Sequence, residues 1–167
     1  MSDLVAKTGE AAKRVLTFLA DHRSTLKHAH WYAGPFLPWV FEFPELVFDV
    51  ALADYWMLRI VHVAAALEQR GYPKLLDTEI DLEIDDPILP ANNGRYLVRL
   101  QAGRASVESA RGAGRVRLNA RGLAALYTGF ATPAALARAG LVTGQAADLG
   151  LLAAVFSSSA PGLIDHF

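Results

Sequence analysis

The chain has 167 residues, of which 53% are hydrophobic and 20% are charged, and its formal net charge is −1. This length suits one domain, or one domain with part of another. The hydrophobic content excludes an intrinsically disordered protein, and the charge gives no reason to expect nucleic acid or an anionic membrane as a partner. No cysteine is present, which excludes disulfides, zinc–thiolate sites and thiol nucleophiles.

The amino terminus, Met1–Leu4, lacks the basic start and the apolar stretch of a signal peptide. The longest uncharged runs, 122–137 and 149–164, contain Gly, Ser and Pro and fall short of the ~18 continuous apolar residues that suggest a membrane span. The lack of cysteine fits a reducing compartment. We therefore expect a soluble, cytoplasmic protein with no membrane span.

The first fifty residues contain few regular elements. Apolar residues at helical spacing behind Thr8 predict a helix over 8–20. Loose alternation predicts strands over 26–32 and 45–52, on either side of an aromatic stretch at 36–41. So few elements cannot cover so many aromatic side chains, so residues 1–52 are interpreted as a remnant of a preceding domain or an N-terminal extension.

From residue 53 the pattern becomes regular, and turn residues separate the segments. The predicted elements are a strand at 57–63, a short helix at 64–69, strands at 80–84, 96–100, 105–109 and 116–118, helices at 122–130, from 132 and at 144–156, and a tail from 157. Four or five mostly antiparallel strands with helices late in the chain indicate an α+β domain over 53–167.

Several sequence blocks stand out in this second part. In chain order they are Trp56–Val63 with Ala66–Leu67 and Arg70–Pro73, Asp85–Pro87 with Asn93–Tyr96, Arg121–Phe130 with Pro133, Leu136–Ala137 and Gly140–Leu141, and the closing Pro161, Asp165 and Phe167. They resemble the C-terminal, sterol-carrier-protein-like domain of GNAT-family N-acetyltransferases of the enhanced intracellular survival (Eis) type. Upstream, Phe18–Ser24, Trp31 and Gly34–Pro35 resemble the end of that family's central acetyltransferase-fold domain.

The resemblance implies a sterol-carrier-like sheet of about five strands with helices packed on one side. It implies a part in moving acetyl from acetyl-CoA to an amine, an aminoglycoside or a lysine, within a homo-oligomer that is often a hexamer. It also implies that the C-terminal carboxylate serves as general base, a role that falls here on Phe167. A carboxylate placed against an amine can accept the proton that the amine must lose before it attacks a thioester.

The aromatic run from Trp31 to Phe48, which includes Trp39, is interpreted as core or interdomain packing, with an apolar substrate or lipid pocket as the alternative. On that alternative Trp31 and Trp39 contact substrate. Asp165 and His166 are further candidates because they precede the terminal carboxylate.

An acetyl-CoA site of this fold needs an Arg/Gln-x-x-Gly-x-Gly/Ala loop before a helix N-terminus, where backbone N–H groups bind the pyrophosphate. The nearest match, Arg111–Val116, leads into a predicted strand and is interpreted as a turn. We expect this chain alone to bind no cofactor and to transfer no acetyl group. Acetyl-CoA and the general-acid tyrosine would belong to an N-terminal acetyltransferase domain that this chain lacks.

Two other clusters have a chemical and a structural interpretation. His28, His30 and His62 could ligate a metal, but no acidic residue close in sequence completes a site, so packed or rim histidines are favoured. The acidic residues from Asp77 to Asp86 could attract polycations, but the solvated face of an amphipathic strand explains them better. No metal is expected.

Two rival functions stay open. The chain could be a free-standing carrier that binds a lipid or another apolar ligand, with Tyr127, Phe130 and neighbouring leucines lining a tunnel. It could also be a purely structural oligomerisation module. The exposed aromatic N-terminal segment argues against the carrier, because such a segment favours a partner surface.

Overall fold

A computed structural model describes residues 4–34, 41–43, 45, 48–52, 56–159 and 161–162 of the chain. The chain divides into two compact units, residues 1–56 with 160–167, and residues 57–159. Within the described residues, no helix has the length and apolar character needed to cross a bilayer.

The first unit contains helix α1 (Gly9–Asp21). The Thr8 hydroxyl accepts a hydrogen bond from the Ala11 N–H at 3.1 Å, which satisfies a backbone donor that the first turn leaves unpaired. Lys13 on this helix lies 3.4 Å from the Glu42 carboxylate. The predicted helix and its capping residue are therefore confirmed.

The two strands predicted in this unit are wrong for the residues that the structure describes. Residues 26–32 follow a turn and form no strand. Of 45–52, residues 46 and 47 lie outside the described part, and the others form no strand. Alternation of apolar and polar side chains predicts a strand with one buried face. A strand also requires a neighbouring strand whose backbone groups pair with its own N–H and C=O groups.

The second unit is built on a five-stranded sheet with the strand order β3-β2-β1-β4-β5. Its strands are β1 (Thr78–Asp85), β2 (Gly94–Gln101), β3 (Arg104–Ala110), β4 (Val116–Asn119) and β5 (Val142–Thr143). All neighbouring pairs are antiparallel except β1 and β4, which are parallel. The α+β class and the mostly antiparallel five-stranded sheet are therefore confirmed.

Helices of this unit lie on one side of the sheet. They are α2 (Val63–Gln69), α3 (Ala120–Thr128), α4 (Pro133–Arg138) and α5 (Ala146–Val155). Side chains of His62, Asn119 and Thr132 accept hydrogen bonds from the first turns of α2, α3 and α4. Gly129 ends α3 at a φ of 74°, a backbone conformation that glycine adopts at little cost.

The strand predicted over 57–63 is also wrong. Residues 57–62 are extended but pair with no strand, and Val63 already begins α2. The cause is local, because the Nδ1 atom of His62 accepts a hydrogen bond from the Ala65 N–H at 3.1 Å and so starts a helix.

The core lies between the helices and the inner face of the sheet. Alternate residues of β1, Ile80, Leu82 and Ile84, are buried there, as the alternating pattern predicts. Among the described residues, the apolar side chains that are at most 1% exposed come from both layers and are Leu67, Leu82, Val98, Leu118, Leu123, Leu126, Leu152 and Val155. Packed side chains therefore fill the space between the two layers.

Candidate functional site

A groove of about 300 Å³ opens on the second unit. One wall is the extended segment 58–62, and the other consists of α2 and the side chain of Tyr127 on α3. Most of its lining is apolar, and Arg59, His62, Gln69 and Tyr127 add polar groups. This mixture of an apolar wall and a few polar groups is typical of ligand sites.

Apolar side chains continue beyond the groove onto the surface. Met57 is 97% exposed and Val61 is 74% exposed, and Leu58 is partly exposed beside them. An exposed apolar strip of this kind is unusual on a free surface and often marks a contact.

Asp86 fixes the extended segment on one side of the groove. Its carboxylate is 1% exposed and pairs with the guanidinium of Arg59. It also accepts hydrogen bonds from the N–H groups of Ile88 and Leu89, both at 3.0 Å, and from the side-chain amide of Asn92 at 3.1 Å. We call Arg59, Asp86 and Asn92 the Asp86 cluster.

Asn92 extends the cluster to the start of α2. Its side chain donates to the Ile60 carbonyl at 3.1 Å and accepts from the Val63 N–H at 3.2 Å. The Tyr96 hydroxyl donates to the Asn92 carbonyl at 3.0 Å, and burial raises the pKa of this tyrosine. The cluster therefore joins the segment 58–62 to the loop between β1 and β2.

The environment of Asp86 favours its charged form. Burial by itself raises the pKa of a carboxyl group, but the hydrogen bonds from Leu89, Asn92, Ile88 and Arg59 outweigh it and lower the pKa of Asp86 to about 2. Asp86 is therefore an ionised structural anchor at neutral pH, and it is not poised for proton transfer.

Arg70 fixes the opposite end of the groove. Its guanidinium donates to the carbonyls of Gly71 at 2.9 Å, Tyr127 at 3.0 Å and Phe156 at 3.4 Å. The guanidinium carbon also lies 5.0 to 5.8 Å from the ring centroids of Tyr72, Tyr127 and Phe156, within the range of cation–π attraction. We call Arg70 with these three aromatic residues the Arg70 cluster.

Tyr72 completes the Arg70 cluster. Its hydroxyl donates to the Leu67 carbonyl at 2.8 Å, and burial raises its pKa to about 12. Tyr72 is therefore a neutral hydrogen-bond donor at physiological pH, and it contributes packing and positioning to the groove wall.

The acidic residues of β1 lie on the sheet face opposite the helices, where Glu79, Asp81 and Glu83 pair with arginines and Asp85 is exposed. Arg95 donates to both carboxylate oxygens of Asp81 at 2.9 Å, and this hydrogen bonding lowers the pKa of Asp81 although burial opposes it. The other pairs are Arg99 with Glu79 and Glu108, Arg115 with Asp81 and Asp148, and Arg117 with Glu83. Arginines therefore offset the negative charge that could attract a polycation.

The glycine-rich turn before β4 packs against β1. The Gly114 N–H donates to the Glu83 carboxylate at 3.1 Å, and a Cβ added at Gly114 would lie 2.7 Å from the Glu83 nitrogen. The turn leads into a strand, as predicted, so it does not present the N–H groups of a helix N-terminus to a pyrophosphate.

The sequence matches the family described as Sterol carrier protein domain over residues 63–164. The chain belongs to this family. No protein with a curated function matches this chain.

The solved structures that are similar to it include two GCN5-related N-acetyltransferases and Eis1. A GCN5-related N-acetyltransferase from Anabaena variabilis superposes with a TM-score of 0.90 at 32% identity, over 99% of this chain and 42% of that protein. One from Kribbella flavida superposes with a TM-score of 0.83 at 36% identity, over 99% of this chain and 43% of that protein. Eis1 from Mycobacterium abscessus superposes with a TM-score of 0.56 at 28% identity, over 65% of this chain and 27% of that protein.

This member of the sterol carrier protein domain family therefore spans less than half the length of the two GCN5-related N-acetyltransferases. Its similarity to them includes the residues before 63, which the family match does not reach.

The structure says little about the site residues predicted from the sequence. Trp31 is half-buried in the first unit. Trp39, Asp165, His166 and Phe167 lie outside the described residues, so their assigned roles stay predictions.

The histidines take different places. The rings of His28 and His30 lie 6.0 Å apart on exposed backbone, and His62 caps α2. In the described part of the chain, no group of three His, Cys, Asp or Glu side chains could hold a metal ion.

Of the residues that fix the groove, Arg59 and Arg70 were not singled out from the sequence for a chemical role, and Asp86 was considered only as part of the acidic run 77–86. Arg59, Asp86 and Arg70 lie inside the sequence blocks described above. The bonds that join distant segments, from Arg59 to Asp86 and from Arg70 to the Tyr127 and Phe156 carbonyls, span 27 to 86 residues along the chain. One feature of the sequence could have pointed to the ion pair of Arg59. This charged residue lies between the apolar residues Leu58 and Ile60, and its guanidinium needs a partner if that stretch packs against the rest of the protein.

Proposed function

We propose that this chain is the C-terminal module of an acetyl-CoA-dependent N-acetyltransferase of the Eis type. The supporting observation is the alignment of nearly the whole chain with two GCN5-related N-acetyltransferases that are more than twice as long. In this proposal residues 1–52 are the end of a central acetyltransferase-fold domain, and 53–167 form the sterol-carrier-like domain. An N-terminal domain of the same or a separate chain supplies acetyl-CoA.

The module would contribute in three ways to such an enzyme. It would supply walls of the acceptor pocket, contacts of a homo-oligomer in the cytoplasm, and the C-terminal carboxylate of Phe167 as general base. The base takes a proton from the acceptor amine as the amine nitrogen attacks the thioester carbonyl. The carbon–sulfur bond then breaks, and coenzyme A leaves as the thiol after taking a proton from the general-acid tyrosine of the N-terminal domain. Trp31, Trp39, Asp165 and His166 would contact the acceptor, which is an amine, an aminoglycoside or a lysine.

A hybrid enzyme tests this proposal. The part of the Kribbella flavida relative that aligns with this chain is replaced by residues 1–167, and coenzyme A release is measured with a panel of acceptor amines. We expect acetyl transfer by the hybrid and none by either part alone. A second hybrid carries one glycine after Phe167, which moves the carboxylate by about 3.5 Å.

The two hybrids separate the parts of the proposal. A folded hybrid that binds acetyl-CoA but acetylates no acceptor argues against the module. An active hybrid that the added glycine leaves unchanged argues against the terminal base alone. General-base catalysis typically contributes a factor of about 10² to 10⁴, so the expected loss is large.

The alternative is a carrier of a lipid or another apolar ligand, which membership of the sterol carrier protein domain family favours. Packed side chains between the sheet and the helices weigh against a tunnel in that place. Native mass spectrometry of the freshly purified chain decides between the two, because a bound mass of lipid size supports the carrier. An oligomer that stays bare with added acetyl-CoA supports the module.

A further inference from the structure

Strand β3 forms one edge of the sheet, and among the described strands it pairs with β2 alone. In an antiparallel pair, alternate residues direct both backbone groups to the neighbouring strand, and the residues between them direct theirs away. The Val107 N–H donates to a side chain of α2, and the Gly103 carbonyl accepts from the Tyr72 N–H, so the odd-numbered positions face away from β2. The outward backbone groups of β3 are therefore those of Ala105, Val107 and Ser109.

A single carboxylate closes the middle of this edge. The side chain of Glu68, in the last turn of α2, accepts the hydrogen bond from the Val107 N–H at 3.2 Å. Glu68 is exposed, so it reaches the edge from the surface and brings a negative charge to it. Unpaired backbone groups on an edge strand are a template for another strand, and charged side chains at the edge are one way in which proteins prevent such pairing.

The sequence of β3 suits a second copy of itself. If two β3 strands run antiparallel with their Val107 residues opposite each other, Ala105 of one copy faces Ser109 of the other, and the outward backbone groups of both strands meet. In this register Arg104 lies diagonally across from Glu108 of the second copy, within reach of an ion pair. The hydrogen-bonding groups and the charges of the edge are thus both self-complementary.

We propose that Glu68 guards the edge of β3 against the addition of a second copy of this chain. In the register above, the central bonds join the two Val107 residues, but in each copy this N–H group is already bound to a carboxylate. The two Glu68 carboxylates would also meet near the two-fold axis, where like charges repel each other. The inference is independent of the proposed function, because it rests on contacts within residues 57–159.

The test places a nitroxide label on β3 in the whole 167-residue chain. The chain contains no cysteine, and Ser106 is exposed, so S106C gives a single labelling site. In the pair described above, the two Cα atoms at position 106 lie roughly 8 Å apart, one strand spacing across and two residues along. Labels this close broaden each other's electron paramagnetic resonance spectra, and dilution with unlabelled chain removes the broadening. T143C, on β5 at the opposite edge of the sheet, is the reference site.

We expect the spectrum at 106 to depend on Glu68. E68A frees the Val107 N–H and removes the repulsion, so broadening should appear at a chain concentration at least about tenfold lower than with Glu68 in place. E68Q keeps a hydrogen-bond acceptor without the charge, so its effect should lie between the two. The spectrum at 143 should stay sharp in every chain.

The double variant E68A/S109P separates edge pairing from other association. The Ser109 N–H points away from β2, so proline breaks no bond of the sheet but removes a donor that the second copy needs. We expect E68A/S109P to lose the broadening at 106. The guard is wrong if 106 broadens equally with and without Glu68, or in none of the chains. Pairing through β3 is wrong if E68A/S109P broadens as E68A does, or if 143 broadens as well.

Discussion

At the scale of single residues, Asp86 stands out because it is a fully buried carboxylate with every oxygen engaged. It holds one groove wall through Arg59 and the loop that follows β1 through two backbone N–H groups. Burying a charge is costly unless hydrogen bonds and an opposite charge compensate it, and both are present here. Such a group stabilises the fold only while all of its partners remain.

We predict that D86N destabilises the protein by about 3 kcal/mol, because it leaves Arg59 unpaired and places a side-chain NH₂ against donors. The measurement is the midpoint of urea unfolding at pH 7, followed by circular dichroism. D85N is the matched control, because Asp85 is the neighbouring carboxylate and is exposed. Equal midpoints for the two variants would contradict the role assigned to Asp86.

At the scale of elements, the close approach of α3 to the chain before β5 depends on Gly122. A Cβ at Gly122 would overlap the Leu141 carbonyl oxygen, and the Gly122 N–H donates the capping hydrogen bond to the Asn119 side chain at 2.8 Å. The Asn119 N–H also bonds the Leu141 carbonyl at 3.4 Å. A single small residue thus allows helix, cap and strand to meet.

We predict opposite effects for two glycine-to-alanine substitutions in helices. G122A lowers the free energy of unfolding by about 1–3 kcal/mol, because the added methyl group has no room. G150A in α5, where no atom lies within 4 Å of the added Cβ, raises it by up to about 1 kcal/mol through helix propensity. Thermal unfolding of both variants measures the difference, and a G122A protein as stable as G150A would refute the close contact.

At the scale of the whole molecule, two buried carboxylates make stability depend on pH. The pKa of Asp86 is lowered to about 2, and that of Asp81 is lowered by its hydrogen bonds from Arg95. A carboxyl group with a lowered pKa in the folded state contributes stability that is present above its unfolded pKa of about 4 and is lost as the pH falls toward the folded value.

We predict that the free energy of unfolding is level from about pH 7 to 5 and falls steadily from about pH 4 to 2. D86N should fall less over the same range, because one of the groups no longer titrates. Urea unfolding at several pH values, followed by far-ultraviolet circular dichroism, measures both curves. Parallel curves for the two proteins would show that Asp86 does not carry the acid sensitivity.

Local signals in the sequence predicted much of the second unit. The alternation of Ile80, Leu82 and Ile84 identified β1, and Thr132–Pro133 lies at the start of α4, as its chemistry predicts. The two-residue strand β5 is too short to leave a periodic pattern. Residues 58–62 are extended like a strand, but they line a groove and pair with no strand. Local patterns report which side chains are buried, but not what buries them.

The site was harder to predict because its contacts are long-range. Arg95 lies 14 residues from Asp81, and Arg59 lies 27 residues from Asp86, so neither pair is a spacing motif. The acidic residues of β1 are therefore predicted from the sequence to form a solvated face. In the structure, the neighbouring strands β2 and β4 carry arginines that pair with them. Topology, which no local pattern encodes, decides the electrostatics of this face.

The segment from Arg59 to Arg70 is fastened at both ends, by the Asp86 cluster at one and by the Arg70 cluster at the other. The walls of the groove are thus held by contacts of the protein itself. A molecule that binds between such walls loses its own translational and conformational freedom but does not have to order the protein. Less of the favourable interaction energy is therefore offset by the entropy of ordering. Preorganisation of this kind favours small, rigid occupants over large, flexible ones.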